Sequence, residues 1–230
     1  MTAEAVLVVF LLVVAPGVAL LAWQAERRQV RRARAFAREV GWEYVGSDPT
    51  LVGRWRVHPF GRGRWPSTHE VIRGTFLGRT ATSFAYRFTT GGGKQRRTHS
   101  FHVVAVDLPA ALPTLQLSPD VAVLTAVDTA LGGQDIQFES EEFNRRWKVE
   151  AVAERFAHDV LHPRLMQRLL EPDAEGLFLR IEGDAVLVCT LGIPRYDELT
   201  RRLHVLTAIA DAVPRYVWLD HGHDPARTGG

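Results

Sequence analysis

The chain is nearly without three residue types: Cys189 is its one cysteine, Lys94 and Lys148 are its two lysines, and Asn144 is its one asparagine. One cysteine excludes an internal disulfide framework and any multi-cysteine zinc module. The shortage of lysine beside abundant arginine is a codon bias and carries no mechanism. A G-x-S-x-G nucleophile elbow is absent. The GGGK run at 91–94 is followed by Gln95 and flanked by strand patterns. A phosphate loop needs G-x-x-x-x-G-K-[ST] between a strand and a helix, so nucleotide binding is not read here. Basic side chains are also missing before the first apolar run, because residues 1–4 read MTAE. A secretory signal would carry positive charge there and a small-residue cleavage site after the run.

What is present begins with that run. Residues 5–23 read AVLVVFLLVVAPGVALLAW, nineteen positions without a charge or a side-chain amide. At ~1.5 Å per helical residue such a run matches a hydrocarbon core of ~30 Å, which predicts a transmembrane helix. Pro16-Gly17 are tolerated inside it, and Trp23 suits the interface at its end. Residues 24–40 then form a basic juxtamembrane helix carrying Arg27, Arg28, Arg31, Arg32, Arg34 and Arg38, with Gly41 as its stop. Positive flanking charge tends to stay in the cytoplasm. The expected topology is a short external N-terminus at 1–4 and a soluble domain on the cytoplasmic face of the cell membrane.

The whole chain is formally +2, yet from Glu39 onward 22 basic residues face 24 acidic ones. The basic surplus therefore belongs to the collar. Its expected partner is a bilayer with anionic headgroups, at ~1 kcal/mol per charge near the surface, and not nucleic acid. Residues 41–220 are long enough to bury a core as one domain or as two packed halves, 41–133 and 134–220, with 221–230 as a flexible tail.

Along the domain, a short strand is expected near 42–45. A hairpin of 69–77 and 80–89 follows, from the alternation of Phe84, Tyr86 and Phe88, and then a strand over 100–107. Residues 109–119 read as a Pro-punctuated connection, and 120–133 is ambiguous between helix and strand. Strands are expected at 136–138 and 143–149, helices at 151–159 and 163–170, and a hairpin of 177–182 and 185–191 about Gly183-Asp184. An amphipathic helix over 194–213 precedes a short strand at 216–219. The fold class is α+β: one transmembrane helix, then an antiparallel-sheet-rich domain with short helices in its second half.

Phe138-Glu139-Ser140 with Phe143, Trp147 and Val149, then Ala157, Leu161, Pro163, Met166 and Leu169-Leu170, resembles a bacterial domain-of-unknown-function family. Its pattern is E-S-x-x-F-x-x-x-[FW]-x-V followed by A-x-x-x-L-x-P-x-x-M-x-x-L-L, here over 139–170. The resemblance implies membrane association and an architecture of strand followed by helices. It implies no activity.

His158 and His162, four apart, are one metal-pair candidate, and His221 and His223 in the tail are another. Pro163 interrupts the first helix at His162, and HDVLH lacks the glutamate of zinc-protease motifs. Cys189 lies in AVLVCTL, a buried-strand setting that suits a small core residue better than a nucleophile. Trp55, Phe60 and Trp65 suit either the mouth of a sheet or a ligand-facing patch. No catalytic or cofactor constellation is read. The expected role is a membrane-tethered, non-catalytic interaction or scaffolding module with an unidentified protein partner. The alternatives are a metal-assisted hydrolase and a lipid or small-ligand binding module.

Overall fold

The computed structural model describes residues 3–119 and 135–226, with the side chains of 3–15, Ala19 and Lys94 outside the described part. The ambiguous segment 120–133 and the last four residues of the tail also lie outside it.

Helix α1 (Ala3–Val40) is one continuous helix through the apolar run and the collar. It ends at Gly41, whose φ of +72° places it in the left-handed region that glycine adopts freely. Among the described residues no helix is long and apolar enough to cross a membrane. Most of the apolar run falls where side chains are not described. The six collar arginines are exposed, whereas Ala33 and Ala37 are buried against the domain.

One six-stranded antiparallel sheet organises the rest, with β1 (Glu43–Gly46), β2 (Arg64–Phe76), β3 (Arg79–Thr90), β4 (Arg97–Pro119), β5 (Trp147–Ala151) and β6 (Leu179–Leu191). β4 is the spine. One edge of it pairs with β3 over its first half and β5 over its second, and the other edge pairs with β6 along nearly its whole length. Strands from both sides of 133 thus share one sheet.

Two expectations fail here for one reason. Residues 109–119 continue β4, and Gly183-Asp184 do not turn a hairpin but lie within β6. The two strands bend at the same level: β4 slips register between Asp107, Leu112 and Leu115, opposite Gly183 with φ +58°. Between the pairs Asp107↔Ala185 and Leu115↔Ile181, β4 advances eight residues and β6 four, and in both strands the side chains change sides across the bend. Ala105 and Leu187 face one side before the bend, and Gln116 and Arg180 face it after. A glycine-containing bulge is indistinguishable from a hairpin turn in sequence, which explains the misreading.

Short helices cover one face: α2 (Glu141–Arg146), α3 (Glu154–Val160), α4 (Pro163–Leu169), α5 (Leu199–Ala212) and α6 (Arg215–Asp220). α2 replaces the strand expected over 143–146. Ser140 caps it, its Oγ accepting from Phe143 N at 3.3 Å, so the E-S-x-x-F pattern is a helix start. Residues 136–138 form no strand, although Ile136 N donates to Val149 O at 2.9 Å. α6 replaces the strand expected at 216–219, since Pro214 at its N-terminal flank favours a helix start. Leu165, Met166 and Leu169 of α4 point into the core, and so do Leu203, Leu206 and Ala210 of α5. Against the other face lies a smaller core, built where the segment 49–63 crosses the sheet as a strap.

Candidate functional site

The strap is drawn down by Trp55 and Phe60, which are 3% and 2% exposed. Trp55 stacks on Phe84 with centroids 6.2 Å apart, and Phe60 meets Tyr86 at 4.6 Å. Ion pairs and caps hold it in place. Asp48 accepts from Thr50 N at 3.0 Å and pairs with Arg73 at 2.8 Å. Arg54 bridges Asp107 at 2.9 Å and Asp184 at 3.2 Å, the two carboxylates beside the bend. Arg56 N donates to Glu182 Oε1 at 2.7 Å.

Beyond the strap the sheet is not fully covered, which leaves a cleft of about 620 Å³. Its floor is the even face of β3 and the odd faces of β4 and β6, brought side by side by the pairs Phe88↔His99, Phe101↔Leu191 and Val103↔Cys189. Phe88 stacks between His99 at 5.0 Å and Phe101 at 5.9 Å, and His58 of the strap meets Phe101 edge-on at 5.0 Å. Leu187, Val57 and Phe178 complete an apolar wall.

Polar groups gather at the inner end. Arg180 donates to Gln116 Oε1 at 2.6 Å and lies 3.0 Å from Glu182, and Lys148 holds the buried Glu150 at 2.6 Å. Burial pushes the Arg180 guanidinium down from its ordinary value, opposed by Glu182. Of the charged side chains, Arg180 and Arg62 line the cleft itself, while Glu182, Glu150 and Lys148 stand behind its lining. Cys189 lines the cleft, and burial pushes its thiol up to about 12. It is a protonated wall group and not an activated nucleophile. Glu150 is 2% exposed, a buried carboxylate held by Lys148.

On the opposite face is a buried pair that resembles half of a hydrolase triad. His102 Nε2 lies 2.8 Å from Ser83 Oγ. Its other nitrogen, Nδ1, receives hydrogen bonds from Arg202 at 2.8 Å and from Arg195 N at 3.2 Å. Both of those partners only donate, so Nδ1 must be the acceptor and Nε2 must carry the proton. The imidazole therefore donates to Ser83 and cannot take its proton, the reverse of what a general base does. Burial, then Arg202, lowers the His102 pKa to about 3, which keeps the ring neutral. The cluster, closed by Glu198 on Arg202, pins α5 to the sheet.

The metal candidates are used separately. His158 sits on Phe138 at 4.8 Å and 3.8 Å from Glu154. His162 caps α4, its Nδ1 accepting from Leu165 N at 3.4 Å. His221 faces Phe156 and His223 faces Trp218, both edge-on. Among the described residues no three His, Cys, Asp or Glu side chains gather to hold a metal ion. Of the three aromatics singled out, Trp55 and Phe60 plug the sheet, while Trp65 is 61% exposed and outside the cleft. The cleft itself was not foreseen. Its one sequence signal is the aromatic face of Phe84, Tyr86, Phe88 and Phe101, which exceeds what a short strap can cover.

No family model matches the chain, and no curated protein matches it. Among solved structures the chain is similar in fold to the mycobacterial trehalose monomycolate transport factor A, TtfA. The TM-score is 0.58 at 14% identity, over 81% of this chain and 94% of that one. The likeness is one of fold.

Proposed function

We propose that this protein is a membrane-tethered, non-catalytic module whose cleft takes the apolar chain of a lipid or of a similarly apolar small ligand. The observation that carries the reading is the cleft of about 620 Å³, walled by Phe88, Phe101, Phe178 and Leu187, with Gln116 and the Glu182-paired Arg180 as its polar end. Concave, mostly apolar sites with a few convergent polar groups are the usual form of small-ligand sites. The inverted Ser83–His102 pair and the protonated Cys189 argue against chemistry on that ligand. Fold similarity to a protein named as a trehalose monomycolate transport factor supports looking among lipids.

The tether rests on residues 5–23 and the exposed arginines that follow. With positive flanking charge kept on the inner side, this reading has the N-terminus outside and the domain at the cytoplasmic face. In this reading the collar meets anionic headgroups, and an interacting protein would receive or deliver the ligand. Native mass spectrometry of the full chain in detergent tests the cleft. The expected result is one retained lipid-sized adduct per chain, lost in Cys189→Trp, whose indole would obstruct the cleft beside Phe101 and Leu187. An adduct that persists in a folded Cys189→Trp protein contradicts the reading.

A further inference from the structure

A second surface lies at the end of the domain from which α1 projects. The direction of that end follows from contacts. Trp42, just past α1, lies against Gly74 of β2, where an added Cβ would come within 2.2 Å of the indole. About four turns earlier, Glu26 of α1 reaches Arg87 at 3.4 Å, and Arg87 is paired with Ser67. α1 and β2 therefore run side by side in the same direction. Followed backwards, the helix reaches Trp23 and the apolar run, and the sheet reaches Arg64, Trp65 and the 91–97 turn.

Trp65 at this end is 61% exposed and has φ +52°. A bulky residue in the left-handed region is uncommon, and strain of this kind gathers at functional positions. The ring buries little of itself in the fold. The Arg64 and Arg96 guanidinium carbons each lie 5.0 Å from its centroid. Residues 57–69 and 88–106 contain Arg62, Arg64, Lys94, Arg96 and Arg97 and no acidic residue. This contrasts with the acidic surplus of the domain as a whole. Exposed Leu191 and Ile193 close β6 nearby, and Ile193 lies in a groove with Leu21, Gln24 and Arg28 of α1.

We infer that Trp65, bracketed by Arg64 and Arg96, docks on the anionic surface of the same bilayer that holds α1. Indole belongs at the headgroup level, and guanidinium groups pair with lipid phosphate. Nucleic acid would meet the same charges. The bilayer is favoured because the patch lies beside an apolar helix with exposed Leu20, Leu21 and Trp23. Docking would also set the outer rim of the cleft, at Thr90, His99 and Leu191, against the lipid surface.

The inference rests on the tether reading, and the test separates the two. Full-length protein is reconstituted into vesicles of phosphatidylcholine alone or mixed with phosphatidylglycerol, each with brominated acyl chains. The Trp65 signal is the fluorescence difference between the wild type and Trp65→Phe. The expected result is a signal quenched by about half in anionic vesicles. That quenching is lost in 0.5 M salt and in Arg64→Gln/Arg96→Gln, in line with screened surface electrostatics. Equal quenching in both lipids, none in either, or a signal that answers only to an added oligonucleotide overturns the inference. Alkaline carbonate extraction reports on the tether independently. Protein that resists extraction but shows no Trp65 quenching loses only the docking surface. Protein that is stripped yet binds anionic vesicles through Trp65 keeps it.

Discussion

Cys189 reports on its own surroundings, because it is the one thiol in the chain and it lines the cleft. Burial moves it from an ordinary 9.0 to about 12. At pH 8 this lowers the thiolate fraction by roughly a thousandfold relative to the unfolded chain. A more basic thiolate is also a better nucleophile, and a Brønsted slope of ~0.4–0.5 over three units returns a factor of about 16 to 30. The net expectation is reaction with a small neutral aromatic disulfide at least ~30-fold slower in the folded protein than in urea, before any steric hindrance. The assay is stopped-flow absorbance of the released thione at pH 8, with folded and unfolded protein compared against a free-cysteine standard at each urea concentration. A saturating apolar ligand should slow the folded reaction further. Folded and unfolded rates within threefold of one another would refute the placement of the half-buried Cys189 in the cleft wall.

Other consequences follow from the packing. Gly74→Ala brings a Cβ to within 2.2–2.6 Å of Trp42, and the overpacking should cost ~2 kcal/mol in a urea melt of the α1–sheet joint. Arg202→Leu leaves His102 Nδ1 without its side-chain donor and Glu198 without its buried partner. The expected loss is about 3 kcal/mol by equilibrium denaturation, against ~1 kcal/mol for Ser83→Ala. His102 is held near 3 when folded and titrates at its ordinary 6.5 when unfolded. Only the unfolded chain gains this proton as pH falls, so the stability His102 contributes is complete above 6.5 and declines towards 3. Urea midpoints measured across that range should show a decline that His102→Asn lacks.

Local chemistry was the most legible part of the sequence. The long first helix and its stop at Gly41, the β2–β3 hairpin, and the α4 start at Pro163 all follow from neighbours within a few residues. The errors arose where distant partners decide. Gly183-Asp184 has the composition of a turn, but the long neighbour β4 keeps it in line as a bulge. Residues 143–146 alternate like a strand, yet Ser140 and the first-turn carboxylates of Glu141 and Glu142 start a helix. Segment 216–219 is rich in strand formers, and Pro214 overrides them. Apart from the aromatic face of Phe84, Tyr86, Phe88 and Phe101, the cleft left no mark in the sequence, because it comes from what the strap leaves uncovered. That is a property of the register between β3, β4 and β6, not of any motif.

The most direct test of the central claim is photolabelling of the full chain in vesicles with a fatty acid bearing a diazirine midway along its chain, followed by peptide mapping. The account predicts adducts on strap and strand peptides containing Val57, Phe101, Phe178 or Leu187, in addition to those on α1, with excess unlabelled fatty acid competing them away. Adducts confined to α1 while the domain is folded would contradict it, because the cleft would then hold no acyl chain.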